Sequence, residues 1–130
     1  MKESDLKELL ELERKLYSKI SETVELTQEL SDSVERNDQV SLDMFLSLRQ
    51  RPILEMEEIE SRISLKRVEL NQEDALRFDA LLSGALADSR NELPLTNQLA
   101  MNRRFLARLT ELDRHVSRKL CGDRSYYQNS

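Results

Sequence analysis

The chain has one histidine, His115, and the acidic residues near it are where metal chemistry would be found. Glu111 lies four residues before the histidine and Asp113 lies two residues before it. A glutamate and a histidine four residues apart lie on one helix face and can share a metal ion. In di-iron helical bundles, however, the glutamate lies three positions before the histidine. Here the residue three positions before His115 is Leu112. We therefore interpret the set as a solvated ion pair and predict no metal site.

Nucleophilic chemistry would have to come from Cys121, the only cysteine. The histidine lies six positions earlier, and this spacing does not place a base beside the sulfur. The sequence also contains no glycine-rich phosphate loop. We predict a buried or incidental thiol, no cofactor and no enzymatic activity. A single cysteine excludes an intramolecular disulfide and fits a reducing compartment.

The charge balance changes from acidic to basic along the chain, because acidic residues become fewer toward the C-terminus. Residues 1–75 carry 19 acidic and 11 basic side chains, whereas residues 76–130 carry 6 and 9. The basic residues could form a solvated face that complements the acidic first half, or a surface for an acidic partner. Nucleic acid is not expected as the partner, because it would require more positive charge and stacking aromatic rings, and only Phe105 is near. The basic set is Arg103, Arg104, Arg108, Arg114, Arg118 and Lys119.

The elements that must position these residues are helices. Charged residues make up 35% of the chain and aromatic residues 5%, and there are only two glycines and two prolines. Apolar residues recur at spacings of three, four and seven, as they do on one face of a helix. The clearest stripe, in residues 41–63, contains Leu42, Phe45, Pro52, Met56, Ile59 and Ile63. The sequence predicts an all-α protein: an elongated antiparallel bundle of three long helices with one short connecting helix.

Turn and capping residues set the expected boundaries of the first two long helices. The first runs from about residue 4 to residue 36, and a polar turn at residues 37–39 follows. Polar residues dilute its apolar stripe, so we expect it to pack on one side only. The second runs from about residue 41 to residue 70. Pro52 either kinks this helix or divides it at Arg51, and the uninterrupted apolar spacing favours a kink.

The second half of the chain is expected to contain a short helix and a long one. A short helix within residues 71–92 could be capped by Asn71, with Asp74 three residues later, although the second helix could also simply continue. The last helix begins near Pro94, which is tolerated in a first turn. It is expected to end at Gly122, a residue suited to a left-handed cap.

Residues 1–121 are thus expected to form a single helical-bundle domain, and residues 122–130 a flexible C-terminal tail. The N-terminal segment is charged throughout and has no apolar core of the signal-peptide type. No apolar run approaches the roughly 20 residues that a membrane span requires. We predict a cytoplasmic protein without membrane insertion.

Asn102 lies within the apolar seam of the last helix, where an apolar residue would pack better. A buried asparagine in such a seam can fix register or partner geometry at a cost in stability. It could equally lie at the edge of a groove, and the sequence leaves both possibilities open.

The apolar stripes together exceed what an elongated bundle can bury. A third helix covers part of the surface, but we expect a groove or patch to stay open. An amphipathic helix of another protein would cover such a surface, and so would a second copy of the chain.

The order of these segments resembles a known family. A long first helix contains ELERKLYSKISETVELTQEL, the second centres on LSLRQRPILEM, and the last opens with NQLAMNRRFLARLTEL. This arrangement resembles the export chaperones of the bacterial flagellum, particularly the FlgN type, which binds hook–filament junction proteins. The FliT type, which serves the filament cap protein, is hardly distinguishable. The family's typical pairs fall here on Arg49-Gln50 with Ile53-Leu54, and on Asn102 with Phe105-Leu106.

The resemblance implies a non-enzymatic holdase. It would bind the amphipathic terminal helix of a flagellar hook-associated protein, keep it export-competent and deliver it to the type III export gate. The apolar stripes are consistent with this role, because the apolar face of one helix can cover the apolar face of another. The alternative is a structural or adaptor coiled-coil protein that forms a homodimer through its stripes. By analogy the partner-binding residues are Leu99, Asn102, Leu106, Leu109, Leu112 and Val116, with Arg104 and Arg108 steering acidic flanks of the partner.

Overall fold

The computed structural model describes the backbone of residues 1–129 and the side chains of residues 1–122. These residues are mostly helical and contain no strand, which confirms the predicted all-α class. A single 3-10 turn, Arg90–Glu92, precedes the last helix. The helices are α1 (Glu3–Glu35), α2 (Gln39–Leu48), α3 (Gln50–Glu69), α4 (Gln72–Leu82) and α5 (Leu93–Asn129).

Helix α1 is the element against which the other long helices pack. Helices α2 and α3 run back along it, so that Lys66 of α3 bonds Asp5 near the start of α1 at 2.8 Å. Helix α5 runs parallel to α1, with Asn102 beside Glu13 and His115 beside Glu35. In the part of the chain that is described, no Cα atom of α3 lies within 8 Å of one in α5. The two helices therefore contact α1 separately.

Two apolar clusters hold the helices together. The larger joins α1, α3, α4 and α5, and its fully buried members include Leu9, Ile20, Phe78 and Leu95. The smaller lies at the other end of α1, where Leu30, Leu42 and Val116 meet. Burying such side chains is the main favourable term in the stability of the bundle.

The expectation that α1 packs on one side only is wrong. Its polar residues Glu13, Thr23 and Thr27 are buried, between helices that contact α1 on separate sides. Each threonine hydroxyl donates to the carbonyl four residues earlier, at 2.7 Å. A threonine whose hydroxyl is hydrogen-bonded to its own helix can lie in an apolar seam. The polar residues of α1 therefore did not mark its solvent-exposed face.

The second long helix is interrupted at Arg49 rather than kinked at Pro52. Helix α2 ends at Leu48 and α3 begins at Gln50, which places the proline in the first turn of α3. There its missing N–H costs little. Because Arg49 itself has right-handed helical dihedrals (φ −78°, ψ −10°), the apolar stripe stays in phase across the interruption.

The Arg49 side chain joins three helices at this interruption. Its Nη1 donates to the Thr27 hydroxyl of α1 at 3.0 Å and to the Asp113 carboxylate of α5 at 2.7 Å. Replacing Arg49 with alanine is expected to lower the free energy of unfolding by about 1–2 kcal/mol, because charge-assisted hydrogen bonds are lost from a partly buried site. Urea denaturation measures this. The matched control is Arg51→Ala on the exposed neighbour, and equal losses in the two variants would contradict the assigned role.

The segment between α3 and α5 contains a separate short helix. The Asn71 side chain caps α4 by accepting from the Asp74 N–H at 2.8 Å, as the sequence indicated. Gly84 has a positive φ of 103°, which lets the chain turn sharply after α4. At the end of α4, Leu81 is buried and Leu82 is 38% exposed.

The last helix begins at Leu93 as expected but does not end at Gly122. Its backbone remains helical to Asn129. One glycine inside a helix costs only about 1 kcal/mol, and no proline follows to stop the helix. The side chains of the predicted flexible tail, from residue 123 onward, lie outside the described residues. Within the described residues, no helix combines the length and apolar character that crossing a membrane requires.

Candidate functional site: a cleft between α3 and α5

The separate packing of α3 and α5 on α1 leaves a cleft between them. Its floor is α1, its two walls are α3 and α5, and Leu82 of α4 lies at one end. Its volume is about 250 Å³. We call it the α3–α5 cleft; it is lined by Glu13, Leu16, Glu60, Ile63, Ser64, Leu82, Leu99, Asn102, Arg103 and Leu106.

Helix α4 fixes the end of the cleft. Phe78 is fully buried in the main core and anchors this helix. Arg103 of α5 then donates to the carbonyl oxygens of Leu81 and Leu82, at 3.4 and 3.0 Å. These carbonyls belong to the last turn of α4, where backbone acceptors have no partner within the helix. A cation at the C-terminal end of a helix is also favoured by the helix dipole.

A hydrogen-bonded polar pair lies within the cleft, whose surface is mostly apolar. Asn102 of α5 donates from Nδ2 to the Glu13 carboxylate at 2.8 Å and to the Glu13 carbonyl oxygen at 3.0 Å. Gln98 donates in turn to Asn102 Oδ1 at 3.0 Å. This network fixes the orientation of the Asn102 amide and the position of α5 along the axis of α1. The sequence left two roles open for Asn102: fixing the register of the helices, or lying at the edge of a groove. The position of Asn102 fits both roles, because it hydrogen-bonds to α1 and also lines the cleft.

The Glu13 carboxyl lies in surroundings that disfavour its charge. The residue is only 3% exposed, and burial raises its pKa above the ordinary value of 4.5. The hydrogen bond from Asn102 opposes this effect, and the nearby Glu60 carboxylate reinforces it. The pKa of Glu60, on the α3 wall, is also raised. The main cause is desolvation, and the nearby Glu57 carboxylate adds to it. The cleft therefore contains two carboxyls whose pKa values are raised.

Glu13→Gln is expected to raise the melting temperature by a few degrees at about pH 7.5. Because the folded pKa exceeds the unfolded one, the folded protein binds more protons between the two values and loses stability as pH rises through that window. Glutamine has no charge to bury and can still accept from Asn102. Thermal unfolding followed by circular dichroism should show the gain shrinking as pH falls through that window and lost below pH 4.5, where the carboxyl is protonated in both states. Glu11→Gln, on an exposed residue of α1, is the control, and a gain independent of pH would contradict the assignment.

The apolar surface continues beyond the cleft onto the outer face of α3. A shallow depression there shares Glu60 and Ser64 with the cleft and includes Leu65 and Val68. These two apolar side chains are 65% and 76% exposed. Isolated exposed apolar residues are ordinary, but a row of them beside an apolar cleft is typical of an interaction surface.

The eight partner-binding residues predicted from the sequence do not all lie at one site in the structure. Three of them, Leu99, Asn102 and Leu106, line the α3–α5 cleft, although Leu99 is also buried in the main core. Leu109 and Val116 are buried in the intramolecular core. The other three lie elsewhere: Leu112 is half-buried against the main core, and Arg104 and Arg108 are exposed outside the cleft.

Several cleft residues were not predicted as site residues. They are Glu13, Leu16, Glu60, Ile63, Ser64, Leu82 and Arg103. One signal could have identified Glu13, because a glutamate inside an apolar stripe requires a buried hydrogen-bond donor. Asn102, the other polar residue in a seam, is that donor, but its distance of 89 residues along the chain hid the pairing.

The residues first considered for chemistry lie away from the cleft. His115 pairs with Glu35 of α1 at 3.3 Å rather than with Glu111. This histidine, together with Lys119 at 3.4 Å, lowers the pKa of the Glu35 carboxyl. Cys121 is exposed. Across the described residues, no group of three or more histidine, cysteine, aspartate or glutamate side chains is placed to hold a metal ion.

No protein-family model matches the chain, and neither a curated protein nor a solved structure matches it.

Proposed function

We propose that this protein is a non-enzymatic cytoplasmic chaperone that covers the apolar face of an amphipathic helix in a client protein. The observation that carries the proposal is the α3–α5 cleft, an apolar recess bordered by further exposed apolar side chains on α3. The sequence resemblance supplies the client class: the terminal helix of a flagellar hook-associated protein, kept export-competent for type III export.

The size of the cleft supports the insertion of side chains rather than a small molecule. Small-molecule sites usually measure about 300–1,000 Å³ and enclose most of the ligand. At about 250 Å³, the cleft holds one or two large apolar side chains. The remainder of a client helix would lie along the rim, over Leu65 and Val68. This is the helix-in-groove mode, in which a few side chains on one face act as anchors.

A second candidate function is self-association in a structural or adaptor protein. It is favoured by a separate row on α2, where Val40, Met44 and Leu48 follow one another at intervals of four and are all exposed. Such a row on two copies could form a short helical seam.

A binding titration distinguishes the two candidates. A fluorescent peptide of the C-terminal helix of a hook–filament junction protein is titrated with the protein, and fluorescence anisotropy is read. Sedimentation equilibrium gives the mass across the same concentrations. We expect saturable binding by a monomer. A tight dimer that leaves the peptide free would overturn the chaperone proposal and favour self-association.

A further inference from the structure

The Glu13 carboxylate is only partly satisfied inside the protein. Oε2 accepts from Asn102, whereas within the described residues Oε1 accepts no hydrogen bond. No buried side-chain oxygen or nitrogen is without a partner in that part of the chain, so Oε1 reaches solvent, and the carboxylate does so through the cleft that it lines. An acceptor at the base of an apolar recess is open to a donor that enters from outside.

The charges around this carboxylate leave the cleft short of a cation. Glu60 adds a second carboxylate from the α3 wall. Arg103 is the basic residue of the lining, and its Nη1 donates to the carbonyls at the end of α4. Within the described residues it forms no ion pair with either carboxylate, so one cation stands against two carboxylates. Burying a carboxylate without a cation is costly, and an apolar client would increase the cost by removing the remaining water. A client with a positive charge at this point would offset part of this cost by pairing with the carboxylate.

We propose that the client helix carries one lysine or arginine within its apolar face, and that this side chain enters the α3–α5 cleft and donates to Glu13. The inference rests on the proposed function and specifies the partner for it. The flanking apolar residues of the client would pack on Leu16, Leu99 and Leu106. The carboxylate thus acts as a specificity element, because a purely apolar helix leaves it unpaired and a helix with an acidic residue at that position is repelled.

This arrangement has a defined pH dependence. The groups that face Glu13 are Asn102 from α5, Glu60 from α3 and Arg103 at the end of the cleft. The raised pKa of Glu13 means that part of its charge is lost in mildly acidic solution. Binding of a basic client should therefore weaken as pH falls through the titration of this carboxyl, whereas binding of an apolar client should not.

The test uses three synthetic amphipathic peptides with a neutral polar face, identical except that the central residue of the apolar face is lysine, leucine or glutamate. Dissociation constants are measured for the full-length protein and for Glu13→Gln. We expect the lysine peptide to bind the unmodified protein about tenfold more tightly than it binds the variant. The leucine peptide should bind the variant at least as well as the unmodified protein, and the glutamate peptide should bind the unmodified protein weakest.

Glu11→Gln is the matched control, because it removes the same charge from an exposed position on the same helix. It should leave the preference for lysine unchanged. If the lysine and leucine peptides both bind but neither responds to Glu13→Gln, the inference about Glu13 is overturned while the cleft remains a client site. If none of the three peptides binds, the inference fails, and the hook-protein titration described above shows independently whether the chaperone proposal fails with it.

Discussion

Replacing Phe78 with alanine is expected to lower the free energy of unfolding by about 3–5 kcal/mol. Phe78 is the largest of the fully buried side chains and lies where α4 meets the main core. Removing its ring leaves a cavity that α4 cannot fill without shifting, and the loss is a large part of the stability of a typical domain. Urea denaturation, with the midpoint and slope fitted together, measures the effect.

The matched control for Phe78 is Leu76→Ala on the same short helix. Leu76 is 59% exposed, so its truncation should change the free energy of unfolding by no more than about 0.5 kcal/mol. A similar small change in both variants would mean that α4 is dispensable for the core. The Phe78 variant should also bind client less tightly even when folded, because α4 carries Leu82 and the carbonyls that hold Arg103.

Leu106→Glu is expected to weaken client binding by about 100-fold or more while leaving the helical content nearly unchanged. Leu106 lines the α3–α5 cleft and is half-buried, so the new carboxylate can reach water in the free protein. A bound client would bury that charge beside Glu13 and Glu60, and burying an unpaired charge costs several kcal/mol. Anisotropy titration with the client peptide, together with far-ultraviolet circular dichroism, measures both properties.

A second leucine, one helical turn further along α5, provides the contrast. Leu109 is 9% exposed and belongs to the main core, so Leu109→Glu should unfold the protein. Leu86→Glu, at an exposed position outside the cleft, should alter neither property. Unfolding of the Leu106 variant, or normal binding by it, would show that the cleft is not the client site.

The helices were predictable from the sequence because their apolar periodicity and capping residues are local signals. Asn71 capped α4 as expected. The first helix ended at Glu35, one residue before the expected boundary, and a turn at residues 36–38 leads to α2, where Asp38 accepts from the Ser41 N–H. The interruption at Arg49 was not predictable in the same way. The partners of the guanidinium there lie 22 and 64 residues away along the chain, so no local pattern identifies this junction.

The candidate site could be predicted only in part, since its residues come from four helices. Periodicity placed Leu99, Leu106 and Leu109 on one stripe of α5 without showing which of them faces α1 and which faces the cleft. That distinction depends on the angle at which α5 lies against α1. Asn102 was recognisable as unusual, but its role required Glu13, a residue that the sequence showed only as a polar interruption of the apolar stripe of α1.

The independent attachment of α3 and α5 to α1 has a consequence for how the protein opens. Because the walls share no backbone contact along the cleft, α3 can detach locally while α5 stays in place, and the two form separable cooperative units. Across the described residues, the links between these units are the two apolar clusters, the ion pair of Arg49 with Asp113, and α4 at the opposite end. A helix seated between the walls would contact both and would merge them into one unit.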